Sequence, residues 1–482
     1  MHCEHANPHA PAAASAEAFG ATFNDGSRVL THFRGWQPWL ILSVIVASRL
    51  LLAVFAASLC GDDGNRYLME AMNLSRHGTF SSEPGSDPPP TAHDLPLFPL
   101  MVTSAMVVVK DPLVAARIAA VVNCILFGVA ATGIYELGRR LTGSYTVAAL
   151  GMLVFGCLPE SFPYAVFYMP ESLFLALFAW CLVEFAQFLR TGRLQPLMWS
   201  YFLWGLCVLA KPIALLLGPV LATAAVVIAS RRRPRLTRRI LASAAGLLLG
   251  ASVLAPWLIR NYDAFGVLSI TSITGSNLFY YNYLYMLEDM GVPNPPALLA
   301  IKEAEAVAAA GRQRNNPMIR AELLGAVARK EILRNFSRYV VTTLKRHPKL
   351  YAGTGAIATL RLSGDTDGAL AVESALAGHL TWRRVPLRAL ILQAGSWLVL
   401  GLGYACAAVG LVGLGWRRNW TALGVLLLVL LYFAVLIGPV TSTRYRFAMS
   451  PALSVAAAIG IEALAGVNRN RAPRPRRAAA GY

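Results

Sequence analysis

Long apolar runs, separated by short polar or basic stretches, extend from residue 37 to residue 466. Several of them exceed the roughly 20 residues that a helix needs to cross the apolar core of a bilayer. The strict alternation of a transmembrane β-barrel does not occur. The pattern therefore predicts an all-α polytopic membrane protein with about ten spans, in a range of roughly 9–12. The predicted spans are residues 37–59, 96–110, 113–138, 146–166, 168–189, 197–229, 240–258, 387–413, 420–440 and 447–466.

Prolines interrupt two parts of this apolar pattern. The run at residues 197–229 is too long for one straight helix, and Pro212 and Pro219 are expected to kink or split it. The stretch LPESFPYAVFYMPES, residues 158–172, has three prolines at membrane depth. It is expected to form either two clean spans or a broken hairpin that lines a cavity.

Two long segments without apolar runs divide the chain. The first is a loop, residues 60–95, and the second is a larger, mostly helical domain, residues 260–386. In a ten-span arrangement both segments lie on the same side of the membrane. The predicted units are a disordered tail at 1–36, an N-terminal transmembrane module at 37–259 that includes the first loop, the loop domain at 260–386, C-terminal transmembrane helices at 387–466 and a basic tail at 467–482.

One part of the loop domain, residues 317–346, has a helical pattern with basic residues between its apolar positions. Such a helix either rests its apolar face on the outer membrane surface or packs on its own domain. Pro348 is expected to end it. The apolar residues that recur every four positions are Ile332, Phe336, Val340 and Leu344.

Charge predicts the orientation in the membrane. The chain has 43 Lys and Arg against 25 Asp and Glu, for a net charge of +18. Basic clusters at 231–239, 416–419 and 469–477 fall on one side of a ten-span arrangement, which the positive-inside bias makes cytoplasmic. Both termini are then cytoplasmic and both loops extracytoplasmic, in the inner (cell) membrane. The arginines that break this bias are Arg139, Arg140, Arg190 and Arg193.

The excess of basic residues does not indicate nucleic-acid binding. The chain has no zinc-finger spacing and no basic stripe interleaved with aromatic residues. It also lacks a GxxxxGK[ST] loop and a Rossmann fingerprint, which argues against a nucleotide-linked substrate.

The most informative polar stretch is CGDDGNRYLMEA, residues 60–71, directly after the first span. Asp63 and Tyr67 are four positions apart, so a helix is expected to begin at the aspartates. Either Asp62 or Asp63 could be a simple N-cap, because carboxylates are favoured at a helix N-terminus. Two adjacent carboxylates at a span end, followed by Arg66, instead favour a functional site.

This loop resembles the first outer loop of GT-C glycosyltransferases, in particular bacterial relatives of protein O-mannosyltransferases and of the lipid A aminoarabinose transferase. The residues that match its pattern are Asp63, Tyr67, Ala71, Leu74, Gly78 and Ser81. Four later segments agree with the family: YMPESLFLAL at 168–177, LAKPIALLLGP at 209–219, APWLIRNYDAFG at 255–266 and RYRFAMSPAL at 444–453. Two features depart from it: the family's Asp-Glu is Asp62-Asp63 here, and its loop arginine is missing from HDLPLFP at 93–99.

The resemblance implies a GT-C type bundle that transfers a hexose or pentose from a polyprenyl-phosphate-linked donor. The acceptor would be a lipid, glycan or protein on the extracytoplasmic face. A hydroxyl acceptor needs a base, and Asp63 is the predicted one, with Asp62 orienting it or acting as an alternate base. Mutual repulsion of the two carboxylates would raise the pKa of one of them.

A phosphate leaving group needs fixed cations. The candidates are Arg66, Lys211, Arg260, Arg444 and Arg446. For Arg444 and Arg446, snorkelling to the interface is an equal alternative. The residues predicted to contact substrate or to support those that do are Tyr67, Glu171, Asn261, His93 and Asp94. Glu171, at membrane depth, needs either a cationic partner such as Lys211 or a polar cavity.

No cofactor is expected, although Asp62, Asp63 and Asp94 are hard oxygen ligands that would suit a divalent cation. Two other functions stay open. A transporter or glycolipid flippase would also place charge inside a helical bundle, but no inverted repeat is visible. A membrane scaffold would explain the loops but not the charged residues at span ends.

Overall fold

The computed structural model describes residues 35–59, 63–109, 111–227 and 236–466. These residues form helices and no strands. Seven of the helices are long and apolar enough to cross a membrane, by length and composition, and four more are apolar but shorter. The all-α membrane fold predicted from the sequence is confirmed.

The helices of the first half are α1 Gln37–Phe55, α2 Gly64–His77, α3 Leu97–Val108, α4 Pro112–Thr142, α5 Tyr145–Cys157, α6 Ser161–Val166, α7 Glu171–Thr191, α8 Leu194–Ala210, α9 Leu217–Val227 and α10 Leu236–Phe265. Those of the second half are α11 Ile273–Asn277, α12 Leu284–Asp289, α13 Pro295–Ala309, α14 Pro317–Arg334, α15 Phe336–Ala352, α16 Ala356–Leu362, α17 Thr366–Leu376, α18 Leu387–Trp416, α19 Trp420–Ile437, α20 Thr443–Arg446 and α21 Ser450–Leu464.

Side-chain contacts define two ends of the bundle. At one end, Lys211 after α8 pairs with Glu171 at the start of α7, and Arg444 in α20 pairs with Asp63 before α2. At the other, Asn419 before α19 donates a hydrogen bond to the Leu141 carbonyl at the end of α4, 3.1 Å away. We call these the ion-pair end and the basic end. The basic end carries Arg139, Arg140, Arg190, Arg193, Arg417 and Arg418.

The predicted second span, residues 96–110, is wrong. It forms α3, a helix of 12 residues. Asp94, just before α3, lies at the ion-pair end, and Leu141, at the end of α4, lies at the basic end. A crossing by α3 would instead leave the end of α4 at the ion-pair end, so α4 alone makes this crossing. The helix α3 packs on α2 instead, where the Thr103 hydroxyl contacts the Ala71 carbonyl at 3.4 Å. Once this span is removed, the four arginines that broke the charge bias join the other arginines of the basic end.

The predicted span 197–229 is two helices. Lys211 has an extended backbone, with φ −148° and ψ 127°, because the residue before a proline is disfavoured in a helix. The chain then folds back, so that Trp204 Nε1 donates to the Ala214 carbonyl at 2.8 Å. Relative to the prediction, the span at residues 96–110 is lost and a separate span formed by α9 is gained. The apolar helices that run between the two ends are α1, α4, α5, α7, α8, α9, α10, α18, α19 and α20–α21.

The proline-rich stretch 158–172 is a broken segment rather than two clean spans. Its short helix α6 leaves backbone carbonyls without helical partners, and these must be satisfied inside a membrane protein. Arg49 of α1, which is buried, donates to the Gly156 carbonyl and to the Ser161 hydroxyl. Asn123 of α4 donates to the carbonyls of Phe167, at 2.8 Å, and Met169, at 3.1 Å.

Small residues bring the last two long helices together and so fix the position of α20. A Cβ built on Gly460 of α21 would lie 1.8 Å from the Cys406 carbonyl oxygen, and one on Gly410 of α18 would lie 2.0 Å from the Ala456 carbonyl oxygen. Only glycine permits such close approach of two helices, a common device in membrane bundles.

In the loop domain, the helix predicted at 317–346 is divided at Asn335 into α14 and α15, and α15 continues through Pro348 instead of ending there. Only the first residue of the predicted apolar row packs on the domain. Ile332 is buried, but Phe336 and Leu344 are 58% and 65% exposed. An outward apolar stripe on a basic helix favours the membrane-surface arrangement over packing within the domain.

Candidate active site

Six charged side chains form an alternating chain of ion pairs at the ion-pair end. Helix starts and loops bring them together: the N-terminus of α2, the first residue of α7, the residue after α8, the short helix α20 and the loop before α3. In order of contact, the residues are Asp94, Arg66, Asp63, Arg444, Glu171 and Lys211.

Asp63 lies at the centre of this chain. It occupies the N-cap position of α2, yet its carboxylate makes no capping hydrogen bond. It pairs instead with Arg66 Nη1, at 3.1 Å, and with Arg444 Nη1. Its side chain is 26% exposed, so the carboxylate remains accessible to a substrate. The capping interpretation of the sequence therefore does not describe what this carboxylate contacts.

The pKa of Asp63 is lowered, not raised. Partial burial alone would raise it, but the guanidinium groups of Arg444 and Arg66 together outweigh burial and hold the pKa below its ordinary value. The repulsion expected from a neighbouring carboxylate is thus not the dominant influence. Asp62 lies outside the described residues.

Glu171 and Arg444 form the buried part of the chain. The Arg444 guanidinium contacts both the Asp63 and the Glu171 carboxylates. Lys211 Nζ lies 2.9 Å from Glu171 Oε1, which is the pairing expected from the sequence. Because the Glu171 side chain is only 1% exposed, these two cations are what offsets the cost of burying its charge. Arg444 therefore does not snorkel to the interface.

Asp94 and Arg66 close the other end of the chain. Asp94 is buried, and its carboxylate accepts a bidentate contact from the Arg66 guanidinium, with Nη2 3.1 Å from Oδ1 and Nε donating to Oδ2. Both carboxylates named as candidate metal ligands in the described residues, Asp63 and Asp94, are therefore paired with arginine. No group of three or more His, Cys, Asp or Glu suited to a metal occurs in the described part of the chain.

Sequence reasoning missed Glu70, which is fully buried beside Asp94. Burial raises the pKa of Glu70 to about 10, and the nearby charge of Asp94 adds to the shift. Glu70 is therefore protonated at neutral pH. The sequence spacing could have indicated its place near the site. Glu70 follows Asp63 by seven positions and Arg66 by four, which places all three on one face of α2.

Glu70→Gln is expected to raise the midpoint of thermal unfolding at pH 8 and to leave it unchanged below about pH 4, near the ordinary pKa of glutamate. Wild-type Glu70 keeps its proton when folded and loses it when unfolded, so stability falls as pH rises between those pKa values. Gln keeps a hydrogen-bond donor at this position and does not titrate, so it removes this fall in stability with rising pH. Thermal unfolding from pH 4 to pH 9 measures it, with the exposed Glu373→Gln as control. A Glu70→Gln midpoint below wild type at pH 8 would contradict a protonated Glu70.

Two other residues of α2 and its loop lie beside the chain of ion pairs. Tyr67 is buried with its ring edge against Phe98, and burial raises the pKa of Tyr67 well above 10, so it keeps its phenolic proton. His93 precedes Asp94, and burial lowers the pKa of His93, so it is neutral at pH 7. Both are therefore uncharged groups next to the charged ones.

Arg260 and Asn261 are not part of the chain of ion pairs. Arg260 donates to the carbonyls of Thr91, at 2.8 Å, and Phe80, at 3.1 Å. Asn261 donates to the carbonyls of Ser269, at 2.8 Å, and Ile270, at 3.1 Å. They tie the end of α10 to the first outer loop and to the loop domain. The predicted phosphate contact of Arg260 and sugar contact of Asn261 have no support in this geometry.

Arg446 has a structural partner of its own. It is 1% exposed, pairs with Glu160 at 2.8 Å and donates to the carbonyls of Tyr351 and Gly353 at the end of α15. The snorkelling expected as one alternative is therefore wrong, and its donors are occupied by protein atoms rather than free for a phosphate. Arg446 connects the loop domain to the bundle.

Comparisons with known proteins support the resemblance found in the sequence. A profile of the dolichyl-phosphate-mannose-protein mannosyltransferase family matches residues 88–259. A search of curated protein sequences finds no significant match. The apo oligosaccharyltransferase of Archaeoglobus fulgidus has a TM-score of 0.51 at 12% identity, covering 90% of this chain and 51% of that one.

Two further solved structures are similar. The Archaeoglobus fulgidus oligosaccharyltransferase tethered with an acceptor peptide containing the NVT sequon has a TM-score of 0.50 at 12% identity, covering 90% of this chain and 50% of that one. ArnT from Cupriavidus metallidurans bound to undecaprenyl phosphate has a TM-score of 0.40 at 15% identity, covering 88% of this chain and 78% of that one.

The chain spans about half the length of the oligosaccharyltransferase it matches. At 12% identity this similarity shows the fold, which is the GT-C fold, and not the reaction. The matched family profile includes α3 to α9 and most of α10, and thus Glu171 and Lys211, but ends before Arg260. The resemblance to GT-C glycosyltransferases found in the sequence is confirmed by the family profile, which covers residues 88–259.

Proposed function

We propose that this protein is a membrane glycosyltransferase that moves a sugar from a polyprenyl-phosphate-linked donor to a hydroxyl group of a lipid, glycan or protein acceptor. The observation that carries the proposal is the chain of ion pairs, which combines one accessible carboxylate, Asp63, with three cations at one end of an apolar bundle. The GT-C fold and the mannosyltransferase profile support the same reaction class.

In the proposed reaction the acceptor oxygen attacks the anomeric carbon of the donor sugar. Its proton passes to Asp63, the bond from the anomeric carbon to the phosphate oxygen breaks, and polyprenyl phosphate leaves with the bonding electrons. Arg444, Lys211 and Arg66 are the cations that would stabilise the negative charge on the phosphate. Asp63 and the phosphate must then share the Arg444 guanidinium.

This sharing links donor binding to the basicity of Asp63. Without a donor, Arg444 holds the Asp63 carboxylate and keeps its pKa low, which makes it a weak base. A donor phosphate that takes Arg444 weakens that contact, so the pKa of Asp63 rises and proton transfer becomes easier. The base is therefore strengthened when the donor is in place.

The overall charge of the site fits the same reaction. Three carboxylates, those of Asp94, Asp63 and Glu171, are matched by three cations, and the protonated Glu70 adds no charge. During transfer the phosphate gains one negative charge as Asp63 gains one proton. The buried site thus keeps a constant net charge between its donor-bound and product states, which avoids an uncompensated buried charge.

The proposal is tested with purified protein in liposomes, a panel of polyprenyl-phosphate-linked sugars and a mixed extract of envelope glycolipids and proteins as acceptors. We expect polyprenyl phosphate and a glycosylated product in equal amounts, both detected by mass spectrometry. Movement of the donor between leaflets without release of polyprenyl phosphate would instead identify a flippase and would contradict a transferase.

The arginines of the basic end support an orientation with that end in the cytoplasm, by the positive-inside bias. In the proposed orientation the site faces the extracytoplasmic side of the inner membrane and both termini are cytoplasmic. In a cysteine-free background, Glu373→Cys in the loop domain and Arg417→Cys at the basic end report the two sides. A membrane-impermeant maleimide is expected to reach Glu373→Cys in intact spheroplasts and Arg417→Cys only after permeabilisation. The reverse pattern would overturn this orientation.

A further inference from the structure

A groove at the basic end of the bundle is not used by the proposed reaction. It lies between the ends of α4 and α7 and the start of α8, and has a volume of about 550 Å³. The chain of ion pairs lies at the opposite end of the same helices. The residues of the groove that matter here are Arg140, Trp180, Glu184, Gln187, Arg193 and Trp199.

The polar part of the groove combines two arginines with an unpaired acceptor. Arg140 contacts Glu136 through Nε, at 3.3 Å, while its Nη1 is only loosely held by Glu184, at 3.8 Å. Arg193 is exposed. Gln187 Oε1 is buried and accepts no hydrogen bond from the described residues. A buried acceptor without a donor is costly. A ligand that brings both a negative charge and a hydroxyl group would satisfy both features.

The rest of the groove is aromatic and open. Trp180 donates its ring N–H to the Val129 carbonyl at 3.2 Å, which fixes the ring on the outside of α4 and α7. Trp199 is 52% exposed. Tryptophans at this level of a membrane helix are typical of the headgroup region. A water-soluble anion would contact only the arginines, whereas a lipid would also place an acyl chain against the exposed surface of Trp180 and Trp199.

The surrounding charge selects the kind of lipid. Four arginines lie in the last turns of α4 and α7 or directly before α8: Arg139, Arg140, Arg190 and Arg193. The carboxylate partner of the first two is Glu136. With Glu184 included, the cations still outnumber the carboxylates. Basic sites between transmembrane helices favour anionic over zwitterionic headgroups.

We propose that this groove binds one phosphatidylglycerol molecule from the leaflet at the basic end. Its phosphodiester would contact Arg140 and Arg193, a glycerol hydroxyl would donate to Gln187, and an acyl chain would lie along Trp180 and Trp199.

Native mass spectrometry of the detergent-solubilised protein, with phosphatidylglycerol and phosphatidylcholine of identical acyl chains, tests this site. We expect wild type to retain phosphatidylglycerol about tenfold more strongly, since each arginine near a lipid phosphate contributes to binding. The double variant Arg140→Gln, Arg193→Gln should lose this preference. The double variant Arg417→Gln, Arg418→Gln, which removes two arginines from the same end outside the groove, should keep it. Equal retention of the two lipids by wild type, or equal loss in both variants, would overturn the proposal.

Gln187→Leu tests the hydroxyl contact without changing charge. Wild type is expected to favour phosphatidylglycerol over phosphatidylmethanol, which has the same charge and no headgroup hydroxyl, and Gln187→Leu is expected to bind the two equally. If inorganic phosphate at millimolar concentration displaces phosphatidylglycerol from wild type, the groove is a phosphate site rather than a lipid site. Because none of these residues belongs to the proposed active site, failure here leaves the transferase proposal intact.

Discussion

Asp63→Asn is expected to reduce sugar transfer by about 10²–10⁴-fold, the usual contribution of a general base. Asparagine has nearly the same size and still accepts hydrogen bonds from Arg66 and Arg444, so the site geometry should survive. What it cannot do is take the acceptor proton. The loss should therefore fall on turnover rather than on donor affinity, measured as kcat and as the binding constant of a non-hydrolysable polyprenyl phosphonate.

A matched control is Asp365→Asn. Asp365 also stands at a helix N-terminus, where it caps α17 and pairs with Arg388, but it lies in the loop domain away from the chain of ion pairs. Transfer should be unchanged in this variant. Full activity in Asp63→Asn with loss only in the double variant Asp62→Asn, Asp63→Asn would make Asp62 the base. Full activity in both the single and the double variant would show that neither aspartate of this loop is the base.

Much of this site could be predicted from local sequence. The four-residue step from Asp63 to Tyr67 required a helix at that point, and α2 begins there. A glutamate and a lysine at membrane depth required partners, and Glu171 and Lys211 satisfy each other. In both cases the physical rule applies within one or two helical turns or to one costly buried charge, and so it can be read without knowing the fold.

The number and positions of the membrane spans could not be predicted from hydropathy alone. Both α3 and α9 are short apolar helices, yet α3 lies against α2, whereas α9 begins near Lys211 and ends beside Arg239 at the start of α10. Apolar length shows that a helix avoids water, but a protein interior and a lipid core satisfy that requirement equally. Only the backward turn after Lys211, fixed by Trp204, distinguishes the two.

The roles of the arginines could not be read from residue type alone. Arg260, Arg444 and Arg446 all sit at span ends, where an unpaired cation is costly. Arg260 donates to backbone carbonyls of the first outer loop, and Arg446 donates to Glu160 and to backbone carbonyls of the loop domain. Arg444 instead pairs with Asp63 and Glu171, the carboxylates of the site. Which carbonyls a loop presents follows from its tertiary path, so the sequence could name the cations but not separate the structural ones from those of the site.

The low pKa of Asp63 makes Arg444 the residue whose loss should have the widest effect. Arg444→Gln removes the one cation that contacts both Asp63 and Glu171. Transfer should fall by about 10²–10³-fold, as expected when one stabilising donor of the leaving group is lost. Because burial is then opposed by Arg66 alone, the pKa of Asp63 rises, and the acid limb of the kcat/KM profile should move to higher pH.

Stability and catalysis can be separated at this position. In Arg444→Gln, Glu171 keeps Lys211 but loses its second cation, so the thermal midpoint should fall because a buried carboxylate is left only partly compensated. Adding Glu171→Gln returns the chain of ion pairs to two carboxylates and two cations, and the new amide oxygen can still accept a hydrogen bond from Lys211. Part of the midpoint should therefore be restored, while transfer stays low because the phosphate still lacks its cation. Arg388→Gln, which breaks an exposed pair with Asp365, is the control and should change neither quantity. If Glu171→Gln restored transfer together with stability, Arg444 would act only by neutralising Glu171, and its contact with the donor phosphate would be wrong.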